Sequence, residues 1–458
     1  MPANEAPHKI ASETRPEPVS FRSALLFWLK LGFISFGGPA GQIALMHQEL
    51  VEKRRWISER RFLHALNYCM VRPGPEAQQL ATYIGWLLHR TWGGIVAGAL
   101  FVLPSLVILI ALSWMYVTFG ETPLVAGLFH GIKPAVTAIV VHAAYRIGSR
   151  ALRNAALWAI AAAAFVAIFA FDVPFPAIVM AAALIGIVGG RIAPDRFSMG
   201  GGHRNAVTFF GPALIDDDTP TPAHARFAWP RLVRVLVAGA MLWVVPMALL
   251  FVWVGWDHTF TQMGWFFTKA ALLTFGGAYA VLPYVYQGAV EHYGWLMPAQ
   301  MIDGLALGET TPGPLIMVVA FVGFVGGYAR ALLGSGDLLV SAAVAGSIAA
   351  VIVTWFTFLP SFIFILAGGP LVEATHDDLK FTAPLTAITA AVVGVILNLA
   401  AFFGVHVLWP RGLSGPFDWI AASIAVAAAI ALFRFKRSVI QVIAACAVLG
   451  LLAKSIMQ

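Results

Sequence analysis

Thirteen apolar stretches run the length of this chain, at about 21–47, 62–89, 92–119, 123–145, 154–171, 174–190, 232–256, 264–290, 300–329, 338–368, 382–405, 416–433 and 438–455. A helix needs ~20 such residues to cross a bilayer. Only 11% of the 458 residues are charged, against roughly a quarter in a soluble domain, so lipid has to cover the surface. Inside lipid every backbone polar group must be satisfied within the chain, and apolar stretches of this length achieve that as helices. The expected fold is an all-α polytopic membrane protein.

Orientation follows from Lys and Arg. Arg22 and the N-terminal tail mark the inside, as do Arg146, Arg150 and Arg153, then Arg191, Arg196, Arg204, Arg226, Arg231 and Arg234, and finally Arg434, Lys436 and Arg437. The N-terminus is then cytoplasmic and thirteen crossings leave the C-terminus periplasmic. The chain divides into a tail (1–20), a first unit (21–190), a cytoplasmic loop (191–231), a connecting helix (232–256) and a second unit (257–458). Gly200-Gly201-Gly202, Asp216-Asp217-Asp218 and several prolines make the loop read as a flexible connector. Residues 1–20 are polar and lack the apolar core of a secretory leader.

Net charge is +7. The basic residues occupy loops and form no face interleaved with aromatics, which argues against nucleic acid as a partner. Cys69 and Cys446 lie far apart in apolar segments and imply neither a disulfide framework nor a thiolate metal site. No nucleotide-binding, hydrolase or metal-ligand motif is present, so no enzymatic activity and no cofactor are expected.

One loop breaks the orientation rule. Lys53, Arg54, Arg55, Arg60 and Arg61 lie between the first two segments, where simple alternation places them outside. The rule is restored if both segments are re-entrant hairpins, broken at Gly37-Gly38-Pro39 and at Pro73-Gly74-Pro75.

Self-comparison finds an internal repeat. Residues 27–75 align without a gap on 266–314, a shift of 239, with thirteen of 49 positions identical. Shared positions include Lys30/Lys269, Phe36-Gly37-Gly38/Phe275-Gly276-Gly277, Trp56/Trp295 and Pro73-Gly74-Pro75/Pro312-Gly313-Pro314. The match resumes at a shift of 256, where Leu103-Pro104-Ser105 meets Leu359-Pro360-Ser361. Seven segments separate the two starts, and an odd number inverts the second copy. The expectation is two inverted-topology repeats of six segments around one connecting segment, with a midplane site where helices are broken.

Lys30 and Lys269 sit at equivalent points of apolar segments, where a charge is costly. They read as an anion-binding pair or as side chains snorkelling to the headgroups. Each Pro-Gly-Pro break opens a half-helix N-terminus whose dipole favours an anion. Arg72 precedes the first break, and Thr310 and Thr311 precede the second. Gly37-Gly38 and Gly276-Gly277 supply either close backbone approach or helix packing. Glu76 and Glu309 are the candidates for proton coupling, because carboxylates at membrane depth mark proton relays.

The stretches Phe36 to Gln42, Val71 to Gly85, TFGGAYAVLP and TTPGP resemble the chromate ion transporter family, in its long, two-domain form, over about residues 20–455. The resemblance implies export of chromate from the bacterial cytoplasm across the inner membrane, conferring resistance and driven by membrane potential or an ion gradient, as in an antiporter. Sulfate or related oxyanion uptake, or an anion channel, are the alternatives. It carries Lys30, Gly37, Gly38, Pro39, Gln42, Arg72, Pro73, Gly74, Pro75, Gly276, Gly277, Pro312, Gly313 and Pro314 over as functional positions. Ala278 stands where the first copy has Pro39, so the two breaks are not built alike. The expected partners are chromate or sulfate, protons or another counter-ion, and the lipid bilayer. Homodimerisation is left open.

Overall fold

Residues 14–197, 209–275, 277–332, 339–374 and 382–457 are described by a computed structural model. Among them the chain forms seventeen α-helices and no strand. The first set is α1 (Phe21–Ile34), α2 (Gly38–His47), α3 (Glu59–Val71), α4 (Glu76–Phe119), α5 (Pro123–Ala151), α6 (Ala155–Phe171), α7 (Phe175–Ile192) and the short α8 (Pro194–Phe197). After α9 (Trp229–Val254) come α10 (Thr259–Leu272), α11 (Ala278–Tyr286), α12 (Pro298–Thr310), α13 (Val318–Leu332), α14 (Leu339–Ala374), α15 (Thr382–Leu408), α16 (Trp419–Phe433) and α17 (Val439–Met457). Six of the helices are long and apolar enough to cross a membrane, so this is a multi-pass membrane protein. Shorter apolar helices fill the rest.

The helices nearest the two sequence breaks are short. With 14 residues each, α1 and α10 rise ~21 Å, less than the ~30 Å of hydrocarbon. After α1 the chain turns at Gly37 (φ 89°) and Gly38 (φ 70°), a left-handed backbone that side chains other than glycine adopt only with strain. It then comes back. The ring of Phe27 in α1 lies 4.9 Å from that of Trp56, and the Arg54 guanidinium sits 4.9 Å over Phe27. Phe266 and Trp295 repeat the contact at 5.6 Å. A π-helical turn at Gln48–Lys53 is matched by one at Gln287–His292, the shift of the sequence repeat. The exits match too, with Trp56 N–H donating to Leu50 O (2.8 Å) and Trp295 N–H to Ala289 O (2.7 Å).

Long as it is, α4 is not one rod. Residues 82 and 98 of a straight helix would lie ~24 Å apart. Yet a Cβ on Gly98 would stand 2.2 Å from Thr82 Oγ1, and one on Gly85 would stand 2.5 Å from Ala97 Cβ. The helix doubles back at His89 (φ −135°, ψ 34°) and Arg90 (φ 57°, ψ −158°). Glycines 85, 93, 94 and 98 let the two limbs touch, since each added Cβ would press on the opposite limb. In the second half the same fold-back is made by α13 and α14, where Gly323 and Gly327 pack on Ala349.

The described part of the central loop is pinned, contrary to a flexible connector. Ile57 and Ile215 form a parallel bridge, Ser58 Oγ donates to Asp217 (2.6 Å), and Arg61 Nη2 donates to Thr219 O (2.7 Å). Farther along, the His224 ring lies edge-on against Trp86 and bonds Trp86 O at 2.9 Å. Arg15 pairs with Asp218 at 2.9 Å. The N-terminal tail, the basic loop 53–61 and the central loop therefore gather at one end of the molecule. Asn154 Nδ2 bonds Arg196 O at 2.8 Å, which brings the α5–α6 turn to that end as well.

Candidate functional site

A cavity of about 420 Å³ lies where the broken elements meet. Three helices begin at its wall. Pro39 and Ala40 belong to the first turn of α2, Glu76 is the first residue of α4, and Ala278 and Tyr279 open α11 after Gly277. Orphan N–H groups at a helix start, together with the macrodipole, favour an anion. Arg146 and Arg150 near the end of α5, and Arg153 just beyond it, line the same cavity. Arg146 and Arg150 are four residues apart and share a helix face. Thr386 and Thr389 of α15 complete the polar lining, and Ile43, Met70 and Leu385 supply apolar walls. Three guanidiniums against one carboxylate leave a net +2, the complement of a dianion.

Arg146 also acts electrostatically on Tyr279 and Glu309. Glu309 is buried in α12, and the Tyr279 hydroxyl donates to its carboxylate. Glu76 thus faces the cavity directly, while Glu309 stands one tyrosine behind it.

The Pro-Gly-Pro elements lie beside the cavity and lock onto the other half. Gly74 N–H donates to Thr274 O, and Gly313 N–H to Ser35 O, both at 2.8 Å. Ser35 and Thr274 are repeat partners at the shift of 239, as are Gly74 and Gly313. The contacts extend to the second shift: a Cβ on Gly74 would stand 2.2 Å from Ser361 Oγ, and one on Gly313 would stand 2.9 Å from Ser105 Cβ. Gln42 is fully enclosed, and its Nε2 donates to Gly313 O (2.5 Å) and to Ser35 O (3.3 Å). These amides, expected as free anion donors, are committed to joining the halves.

The remaining expected residues are dispersed. Lys30 is exposed on α1. Lys269 is half-buried over the Trp265 ring at 5.8 Å. Arg72 packs on Tyr68 at 5.1 Å with its Nε buried and without a hydrogen-bond partner. The hydroxyls of Thr310 and Thr311 donate back to their own helix. Pro75 and Pro314 are N-cap residues, of α4 and of the 3-10 turn ahead of α13, with Pro73 and Pro312 completing each break. Gly276 lies outside the described residues. Of the expected set, Pro39, Glu76 and Gly277 line the cavity. The three arginines, Tyr279 and the two threonines were missed as site residues. The i, i+4 spacing of Arg146 and Arg150 ahead of the helix end was the available signal.

The comparisons agree with this architecture. Residues 22–187 and 261–451 each match the chromate transporter family, and the two matches begin at the shift of the internal repeat. A chromate transport protein of Pseudomonas aeruginosa is 33% identical over 394 residues, covering 84% of this chain and 81% of that protein. One from Cupriavidus metallidurans is 28% identical over 435 residues, 95% of this chain and 93% of the relative. No solved structure matches. The chain is a membrane transporter, not an enzyme, and belongs to the chromate transporter family.

Proposed function

We propose that this protein exports chromate from the bacterial cytoplasm across the inner membrane as a secondary transporter, and that the 420 Å³ cavity is its inward-facing binding site. The observation that carries the reading is the meeting of three helix N-termini and three arginines around one small cavity. Every one of those features favours an anion. A dianion leaving an interior that is negative by ~100 mV gains ~2.3 kcal/mol per charge, about 4.6 in all, so outward movement needs no ATP.

The reading treats the two units as inverted repeats, with the tips of α2, α4 and α11 meeting near the bilayer midplane. Arg150 and Arg153 belong to the end shared with the N-terminus and the central loop, which the positive-inside rule assigns to the cytoplasm. Glu76 is the negative member of the lining, and its protonation raises the cavity's net charge. That makes Glu76, with Glu309 behind it, the pair that couples proton binding to anion binding.

Counterflow in proteoliposomes tests the reading. Liposomes loaded with chromate should take up labelled chromate in a saturable exchange that sulfate inhibits. Conductance without saturable exchange would make the protein a channel. Exchange of sulfate but not of chromate would make it a sulfate carrier.

A further inference from the structure

We infer that Asp303, with Lys133 and Tyr116, forms a proton-binding site near the middle of α12, apart from the anion cavity. The inference rests on the transport reading above and adds a residue that reading does not use.

Asp303 is 3% exposed, in the first half of α12. Its Oδ2 accepts from the Tyr116 hydroxyl at 2.8 Å and faces Lys133 Nζ at 3.4 Å. Its Oδ1 is buried and has no hydrogen-bond partner. A charged carboxylate oxygen left in that state is costly, and adding a proton to it removes the buried charge. The proton would sit on Oδ1 while Tyr116 keeps its bond to Oδ2. The carboxylate then becomes a neutral acid, and the Lys133 ammonium loses its counter-charge.

Lys133 from α5 and Tyr116 from α4 are the charged and titratable groups that act on Asp303. From α13 the neighbour is Phe321, 5.3 Å from the Tyr116 ring. Lys454 of α17 packs near Gly127, and the His406 ring of α15 lies tilted against Phe402 at 3.9 Å.

Position gives the site its use. Lys133 and Arg146 are on one helix, thirteen residues apart, or ~20 Å. The anion cavity lies at the Arg146 end. Toward the other end of α5, His130 faces Asp418 at 3.9 Å, ahead of α16. A proton entering there reaches Asp303 from the side opposite to the one the cavity faces. A group of that kind lets a proton gradient bias the exchange between inward and outward states.

The test compares wild type with Asp303→Asn and Asp303→Glu in proteoliposomes, using labelled chromate. Two readouts are taken: counterflow without a gradient, and flux under an imposed pH gradient. Asp303→Asn should keep counterflow within about twofold and lose the response to the gradient, while Asp303→Glu should keep both. A full gradient response in Asp303→Asn overturns the inference. So does a wild type that counterflows without responding to the gradient, and so does loss of counterflow in Asp303→Asn, which would make Asp303 a structural or substrate-binding group. A wild type with no chromate counterflow overturns the transport reading itself.

Discussion

The amide of Gly74 donates to the carbonyl of Thr274 at 2.8 Å, joining the helix break of one half to the helix end of the other. Gly313 and Ser35 make the same bond at the same length. A side chain at either glycine meets the opposite half. Gly74 has φ 127°, and its Cβ would stand 2.2 Å from Ser361 Oγ and 2.5 Å from Gln79 Nε2. Gly74→Ala should therefore strain the backbone by about 1–3 kcal/mol, lower the melting temperature in detergent and abolish transport. An unchanged melting temperature would show that the halves are not joined here.

Removing cavity charge should act on affinity. A hydrogen bond to an ion contributes about 1.5–3 kcal/mol, so Arg146→Gln should raise the KM for chromate about tenfold or more with membrane insertion intact. Lys30→Gln should stay within about twofold, because Lys30 is exposed on α1. Concentration-dependent uptake in proteoliposomes reads both.

The pairing of Lys30 with Lys269 shows where sequence reasoning reached its limit. Repetition at a fixed shift identified positions in equivalent surroundings. Those surroundings are the outer faces of α1 and α10 rather than the cavity. Gly37-Gly38 and the Pro-Gly-Pro elements were legible because breaking a helix needs particular backbone chemistry. Arg146 and Arg150 were legible only as markers of an inside loop. Their arrival at the cavity depends on how α5 packs against α15, which their i, i+4 spacing alone does not record. The expected hairpins rest on a conflict, since a basic loop on the wrong side is rescued if both of the first two segments fold back.

Inversion of the two units, as proposed, predicts sidedness. Arg60 and Ala299 are repeat partners, both exposed, each in the first turn of its helix, α3 and α12. Native Cys69 and Cys446 are buried. Arg60→Cys should react with an impermeant maleimide only from the cytoplasmic side, and Ala299→Cys only from the periplasmic side. Labelling of both from one side would refute the inversion.

The central loop should loosen in acid. Burial pushes the pKa of His224 below its usual value, helped by the charges of Arg90 and Arg231. A depressed folded-state pKa contributes stability above the ordinary histidine value of about 6.5 and loses it as pH falls through the folded value. Amide protection factors across 209–228, corrected for the intrinsic pH dependence of exchange, should fall between about pH 7.5 and about 5, and His224→Phe should flatten that dependence.

The central claim is that three arginines and three helix starts hold a dianion in one cavity. Binding of labelled chromate to the purified protein tests it most directly, measured for wild type and for the Arg146→Gln, Arg150→Gln double variant. The account predicts saturable binding of one ion per chain in wild type, weakened about a hundredfold in the double variant at about 1.4 kcal/mol per factor of ten. Wild-type affinity in a folded double variant would contradict it.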